Sequence, residues 1–285
     1  MIHYSVIPAH DQDPVDLIPF HRYTFSDGTV WTEFFRVESG YLLRFPGLAD
    51  FEVSSNGQSV TAIPMPETDD VTLEHLYINQ LVPLALSRQG RPAFHASAVT
   101  TPRGCVAFLG GTGTGKSTLA ASFAFNGFAF LTDDSLLLEE SQGGVLALPS
   151  HASVRLWEDS LTALTDGCSG QAPSYISYSK KARVLAGSAL AHRDEPLRLL
   201  AAYVLRNKEP ANVTIEPLAG AGRHMAWVEN SFLLDITDQN LLAQHFGWTH
   251  RIAQSVPTFT LDYRRNYGKL GAVREAIVQH VAQLG

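Results

Sequence analysis

Cysteine is scarce. The chain has two in 285 residues, Cys105 and Cys168, too few for a disulfide framework, and Cys105 sits in an apolar run where a thiol acts as a small hydrophobe. Basic residues are outnumbered: 21 lysines and arginines face 28 aspartates and glutamates, for a net charge of −7. A surface that neutralises nucleic-acid phosphates needs the opposite balance, so no nucleic-acid partner is expected. Long apolar runs are missing too. None approaches the roughly 20 residues that span a bilayer, and no membrane partner is expected. The N-terminus, MIHYSVIPAHDQDP, has neither the basic start nor the apolar stretch of a secretory signal, which makes the cytoplasm the expected location. The 11 histidines show no H-x-x-x-H spacing on a convincing helix, so zinc is not expected.

What is present is 45% hydrophobic and 17% charged, the balance of a globular protein with room for one large or two modest domains. Residues 1–65 read as short strands punctuated by turns. Segments 23–25 and 30–37 form a hairpin around Ser26-Asp27-Gly28-Thr29, and 41–45, 51–53 and 60–63 are further strands. A polar break over 65–70 precedes a helical pattern over 72–88, which Pro83 should kink or split. Downstream, 128–132 reads as a strand and 136–138 with 145–148 as a hairpin. Residues 154–164 read as a helix carrying Trp157, and 165–181 as a polar loop, mobile or substrate-facing, with Tyr175, Tyr178, Lys180 and Lys181. Strands at 199–206, 213–215 and 258–263 and helices at 223–232, 240–253 and 270–284 complete the pattern. The expected fold is α/β (α+β), with a small mostly-β region over 1–70 and a larger domain over 71–285.

Chemistry concentrates in the larger domain. Residues 110–117 read Gly110-Gly111-Thr112-Gly113-Thr114-Gly115-Lys116-Ser117, a complete G-x-x-x-x-G-K-S/T phosphate-binding loop. Glycines let consecutive backbone N–H groups turn inward around a β-phosphate, Lys116 brings a cation to the β and γ oxygens, and Ser117 offers a hydroxyl to Mg²⁺. The apolar run 104–109 suits a buried strand before the loop, 118–125 suits a packed helix after it, and Gly127 stands where that helix should stop. The eight loop residues and Thr118 behind them are the expected nucleotide contacts. A helix N-terminus at the same spot adds its positive dipole end.

A reaction needs a second element. Asp133-Asp134 ends a strand expected beside the loop's own strand, and ligands of parallel sheets gather at such carboxyl ends. One aspartate can hold Mg²⁺ while the other accepts a proton from an attacking hydroxyl. His95 precedes the small apolar strand 96–99, expected to pair with the loop's strand through Thr101-Pro102-Arg103-Gly104.

Together, a histidine 15 residues before Gly110, the loop, and Gly-Phe-Ala-Phe-Leu-Thr-Asp-Asp ending 18 residues after Lys116 resemble the C-terminal catalytic domain of HPr kinase/phosphorylase. The resemblance is specific over 94–140 and diffuse beyond. It implies a P-loop core related to phosphoenolpyruvate carboxykinase and transfer of phosphate from ATP to a serine hydroxyl of a protein or peptide. It also implies that His95, Asp133 and Asp134 line the transfer site and that a homo-oligomer, ring or dimer, is compatible with the core. The chain departs from the bacterial enzymes at Thr118, where they carry an acid, and lacks their glycine-rich signature loop and their regulatory domain. This profile is that of a divergent relative, of the kind that includes kinases of peptide precursors.

The resulting assignment has Ser117 and Asp133 fixing Mg²⁺, Lys116 holding the β/γ-phosphates, Asp134 accepting the serine proton, and His95 orienting the aspartates. The two aspartates are interchangeable at this level. Arg155, Lys180, Lys181, Arg183 and Arg206 are candidate cations for the transferred group, and Arg264-Arg265 are read as a subunit contact. Competing readings are a P-loop ATPase or motor, a small-molecule kinase, and a nucleotide-binding module without acceptor. A transporter ATPase lacks its Leu-Ser-Gly-Gly-Gln signature here, and Asn207-Lys208-Glu209-Pro210 lacks the aspartate of a guanine-reading motif.

Overall fold

Aromatic and β-branched residues alternate with polar ones over much of 30–64, and this period of two builds a six-stranded sheet. A computed structural model describes residues 2–25, 27–165, 174–176 and 179–284. Ser26, Cys168 and Tyr178 lie outside the described residues, as do the side chains of Tyr175 and Lys180. The described residues group into two units, Met1–Pro92 with Phe232–His245, and Ala93–Ser231 with Phe246–Gly285.

The first unit holds β1 (His3–Val6), β2 (His21–Thr24), β3 (Val30–Val37), β4 (Gly40–Phe45), β5 (Ala49–Ser54) and β6 (Ser59–Pro64). Their order is β1-β6-β5-β4-β3-β2, antiparallel except where β1 runs parallel to β6. Phe34, Leu43, Phe45, Phe51, Val53 and Val60 are all but fully buried. The helical pattern over 72–88 becomes α1 (Asp70–Leu76) and α2 (Val82–Arg88), joined by a wide turn at Tyr77–Leu81. Pro83 falls in the first turn of α2, directly after the widened turn that divides the helical run, so its missing N–H lies at the start of the second helix. The expected boundary at 70 differs from the observed grouping, because 71–92 belongs with the first unit. Tyr77 stacks on Tyr4 at 3.7 Å, and Arg88 and Gln89 donate to the carbonyls of Ser55 and Gly57. The distant segment 232–245 is held by Asp235, which is buried and takes two hydrogen bonds from Arg36 at 2.8 and 2.9 Å.

In the second unit, β7 (Ala93–Phe94), β8 (Ala96–Thr101), β9 (Gly104–Leu109), β10 (Phe130–Thr132), β11 (Leu136–Ser141) and β12 (Gly144–Leu148) belong to one nine-stranded sheet. A separate three-stranded sheet contains β13 (Ser153–Leu156), β14 (Ser174–Ile176) and β15 (Ser179–Leu185). The large sheet is completed by β16 (Leu197–Leu205), β17 (Thr214–Pro217) and β18 (Thr258–Asp262). Its helices are α3 (Lys116–Ala124), α4 (Glu158–Thr165), α5 (Gly220–Glu229) and α7 (Leu270–Gln283), and α6 (Gln239–Ser255) continues into it from the first unit. Strand β9 is buried on both faces. Val106 and Phe108 pack with residues of α3 and α7, while Cys105, Ala107 and Leu109 pack with Trp227 of α5 and Ile252 of α6. Strands β9, β16 and β18 run parallel, so their carboxyl ends share one edge.

Three expectations change. Residues 154–164 are not one helix: Ser-Val-Arg-Leu alternates, Val154 and Leu156 are buried, and the run pairs with β15 before α4 begins at Glu158. The expected loop 165–181 contributes β14 and the start of β15. Strand β10 does not lie directly beside β9. It pairs antiparallel with β8, which pairs antiparallel with β9, so β10 runs in the direction of β9 one place removed. Among the described residues no helix is long and apolar enough to cross a membrane.

Asp235→Ala should loosen the first unit by about 1–3 kcal/mol, read as faster hydrogen exchange of the β3 and β4 amides. Burial opposes ionisation of Asp235, but hydrogen bonds from Thr237 and Arg36 hold its pKa below the usual carboxylate value. The ionisation-linked part of the difference from wild type is therefore full above about pH 4 and is lost as pH falls through the folded value.

Candidate functional site

The chain leaves β9 through a glycine loop whose turns need left-handed backbone. Gly113 and Gly115 have φ of +81° and +90°, the latter just before α3. A Cβ on Gly110 would stand 2.9 Å from the Leu205 carbonyl and from Thr114 Oγ1, so only glycine lets loop and strand β16 approach this closely. Thr114 donates its hydroxyl to the Gly111 carbonyl at 2.8 Å, and Gly110 donates its N–H to Asn230 Oδ1 at 2.9 Å. Lys116 folds back over the loop and donates to the carbonyls of Gly110 and Gly111 at 2.7 and 3.0 Å. It is only 5% exposed. Burial brings its ammonium pKa down to about 8, against the opposing pull of Asp134 and Asp133.

Asp133 follows β10 and is buried. Ser97 of β8 donates to its Oδ1 at 2.6 Å and the Arg155 backbone N–H to its Oδ2 at 3.0 Å. Burial first, and the Asp134 carboxylate second, push its pKa up, while hydrogen bonds from Ser97, Arg155 and Ser117 work the other way. Asp134 has φ of +67°, a left-handed backbone found at no other non-glycine residue among those described. Its carboxylate lies 3.8 Å from Arg155 Nη1. Burial raises its pKa, but electrostatic interactions with His95, Arg155, Lys181 and Lys116 outweigh that and hold it low. His95 meets the Asp134 carbonyl at 3.3 Å through Nδ1, which must be the donor because a carbonyl only accepts. Burial, then Lys116, lower the imidazole's pKa, so it is neutral near pH 7 with Nε2 as its basic nitrogen.

The expected residues thus converge. Lys116, Ser117, Asp133, Asp134 and His95 interact around one loop at the carboxyl edge of β9 and β10. Thr118 turns aside, its hydroxyl 3.2 Å from Ser160 of α4. Among the candidate cations, Arg155 and Lys181 act on Asp134. Arg183 instead meets Ser153 and His151, and Arg206 is bonded to Asp262 and Glu216. Arg265 lies across Tyr263 at 4.3 Å, donates Nη2 to the Arg206 carbonyl at 2.8 Å, and brings Nη1 to 3.2 Å from a Cβ built on Gly115. Sequence reasoning places it at a subunit contact and misses its approach to the loop. It misses Asn230 as well, which accepts from Gly110 by its side chain and from the His95 N–H by its carbonyl at 2.6 Å. Asn230 ends α5 far along the chain, and no local motif announces it.

No protein-family model matches the chain, and no curated protein matches it. Among solved structures it is similar to the HPr(Ser) kinase/phosphatase from Coxiella burnetii, at 15% identity over 57% of this chain and 97% of that one, with a TM-score of 0.27. A likeness at that score carries no argument about activity.

Lys116 supplies a test of the buried site. Its folded pKa lies below the unfolded value, so the unfolded chain binds more protons between about pH 8 and about pH 10.4. Stability of wild type relative to Lys116→Met should therefore rise across that window by up to about 1.4 kcal/mol per pH unit. Urea unfolding at several pH values measures the slope, and parallel curves would contradict a buried ammonium.

Proposed function

We propose that the chain is an ATP-dependent phosphotransferase that moves the γ-phosphoryl group to a serine hydroxyl of a protein or peptide. The observation that carries this is the meeting of a buried lysine on a glycine loop with two carboxylates of opposite pKa displacement. Paired acids pushed apart in pKa are suited to different roles. Asp133, already bonded by Ser97 and within reach of Ser117, fits a metal ligand, and the serine-plus-carboxylate pair is the oxygen donor set Mg²⁺ takes alongside phosphates. Among the described residues no cluster of three or more His, Cys, Asp or Glu could hold a metal by itself. Asp133 and Ser117 would hold Mg²⁺, which would supply positive charge to offset that of the phosphates.

Asp134 is the proposed base. The acceptor Oγ gives its proton to the Asp134 carboxylate as the Oγ–P bond forms and the bond from γ-phosphorus to the β–γ bridging oxygen breaks, releasing ADP. In the empty site the cations around Asp134 make it a weak base. A triphosphate offsets the charges of Lys116, Arg155 and Lys181, which raises Asp134 toward the range useful for proton transfer. His95, donating to the Asp134 carbonyl, holds that residue's backbone in its left-handed turn. The serine acceptor rests on the motif resemblance.

Incubation with γ-labelled ATP and candidate peptides tests the reading. Label should appear on serine. Lys116→Ala and Asp134→Asn should each lower transfer at least about a hundredfold, with Asp134→Asn still binding ATP. Normal transfer by Asp134→Asn would remove it as base, and label found only in inorganic phosphate would favour an ATPase.

A further inference from the structure

We infer that an open hollow beside α3 is the seat of the nucleoside half of the nucleotide. The inference rests on the phosphotransferase reading and names where the rest of its substrate goes. The hollow, about 730 Å³, is lined by Trp157, Glu158, Asp159, Thr162, Ala163 and Tyr267. That volume falls in the range of roughly 300–1,000 Å³ typical of small-molecule sites.

Its position follows from a chain of hydroxyls. Thr118 Oγ1, one residue past Ser117, lies 3.2 Å from Ser160 Oγ, which lies 3.0 Å from the Tyr267 hydroxyl. Tyr267 in turn donates to Asp159 Oδ2 at 2.8 Å. The hollow is thereby tied to the first turn of α3. Two segments form it: residues 157–163 follow β13, whose Arg155 N–H meets Asp133 at 3.0 Å, and Tyr267 follows β18. A nucleotide whose phosphates lie along the loop and the first turn of α3 therefore has the hollow beside them for its nucleoside.

The chemistry of the lining agrees. Trp157 is 47% exposed and Tyr267 39%, large aromatic surfaces left open to solvent in one concavity. Stacking on such rings favours a base, and it is tolerant of which base. Tyr267 is held by its hydroxyl bonds, so its ring is pre-positioned. The carboxylates of Glu158 and Asp159 disfavour phosphate but accept hydrogen bonds from sugar hydroxyls. Lys181 lies 5.5 Å over the Trp157 ring and also acts on Asp134, which links the hollow to the phosphate end.

Calorimetric titration of the full chain with ATP and with inorganic triphosphate, both with Mg²⁺, tests this. Trp157→Ala and Tyr267→Ala should each weaken ATP about tenfold, the loss of one stacking contact, and leave triphosphate affinity unchanged. Trp157→Phe should keep most of the ATP affinity, which a merely misfolded variant would not. Unchanged ATP affinity in both alanine variants would overturn the inference, and so would equal weakening of ATP and triphosphate. Lys116→Ala separates the two failures: it should weaken both ligands, and if it weakens neither, the phosphate-loop reading itself falls.

Discussion

Three charged groups are taken out of water around one glycine loop: the Lys116 ammonium and the carboxylates of Asp133 and Asp134. Isolated burial of any of them would be prohibitive. Each is held by specific partners instead. Lys116 donates to two loop carbonyls, Asp133 accepts from Ser97 and from the Arg155 backbone, and Asp134 sits among cations. Two adjacent carboxylates in one buried cluster cannot both ionise freely, and their pKa values move in opposite directions. In the proposed reaction Asp133 is held by its hydrogen bonds as the ligand, and Asp134 becomes an effective base once bound triphosphate offsets the cations around it.

The large sheet delivers these groups to one edge. Strands β9, β16 and β18 are parallel and β10 shares their direction, so the loop, Arg206, Tyr263 and the aspartates all follow strand carboxyl ends. Helices on both faces of β9 leave that edge as the place where backbone amides and charges can face a ligand. Asn230 braces the arrangement from α5, holding Gly110 with its side chain and His95 with its carbonyl. Loop and histidine are thus positioned by one residue.

Legibility follows the range of the signal. Alternation over 30–53 and the strand-loop-helix order around residue 110 are local and can be read from spacing alone. At 153–156 a helix-like apolar count masks the same alternation, because strand and helix cannot be told apart by so short a run until a partner strand is known. The neighbour of β10 escapes a sequence reading for a related reason: which strand pairs with which is decided by contacts distant in sequence.

From the sequence came the glycine loop with its lysine and serine, the doubly acidic strand end, and the histidine before an apolar strand, since each depends on residue type and spacing over a few positions. The tertiary structure decided which groups meet. Arg265 beside Gly115, Asn230 between loop and histidine, and Trp157 across from Tyr267 join residues far apart along the chain. Local propensity holds no record of such contacts, because they are fixed only when the sheet closes and its strand order is set.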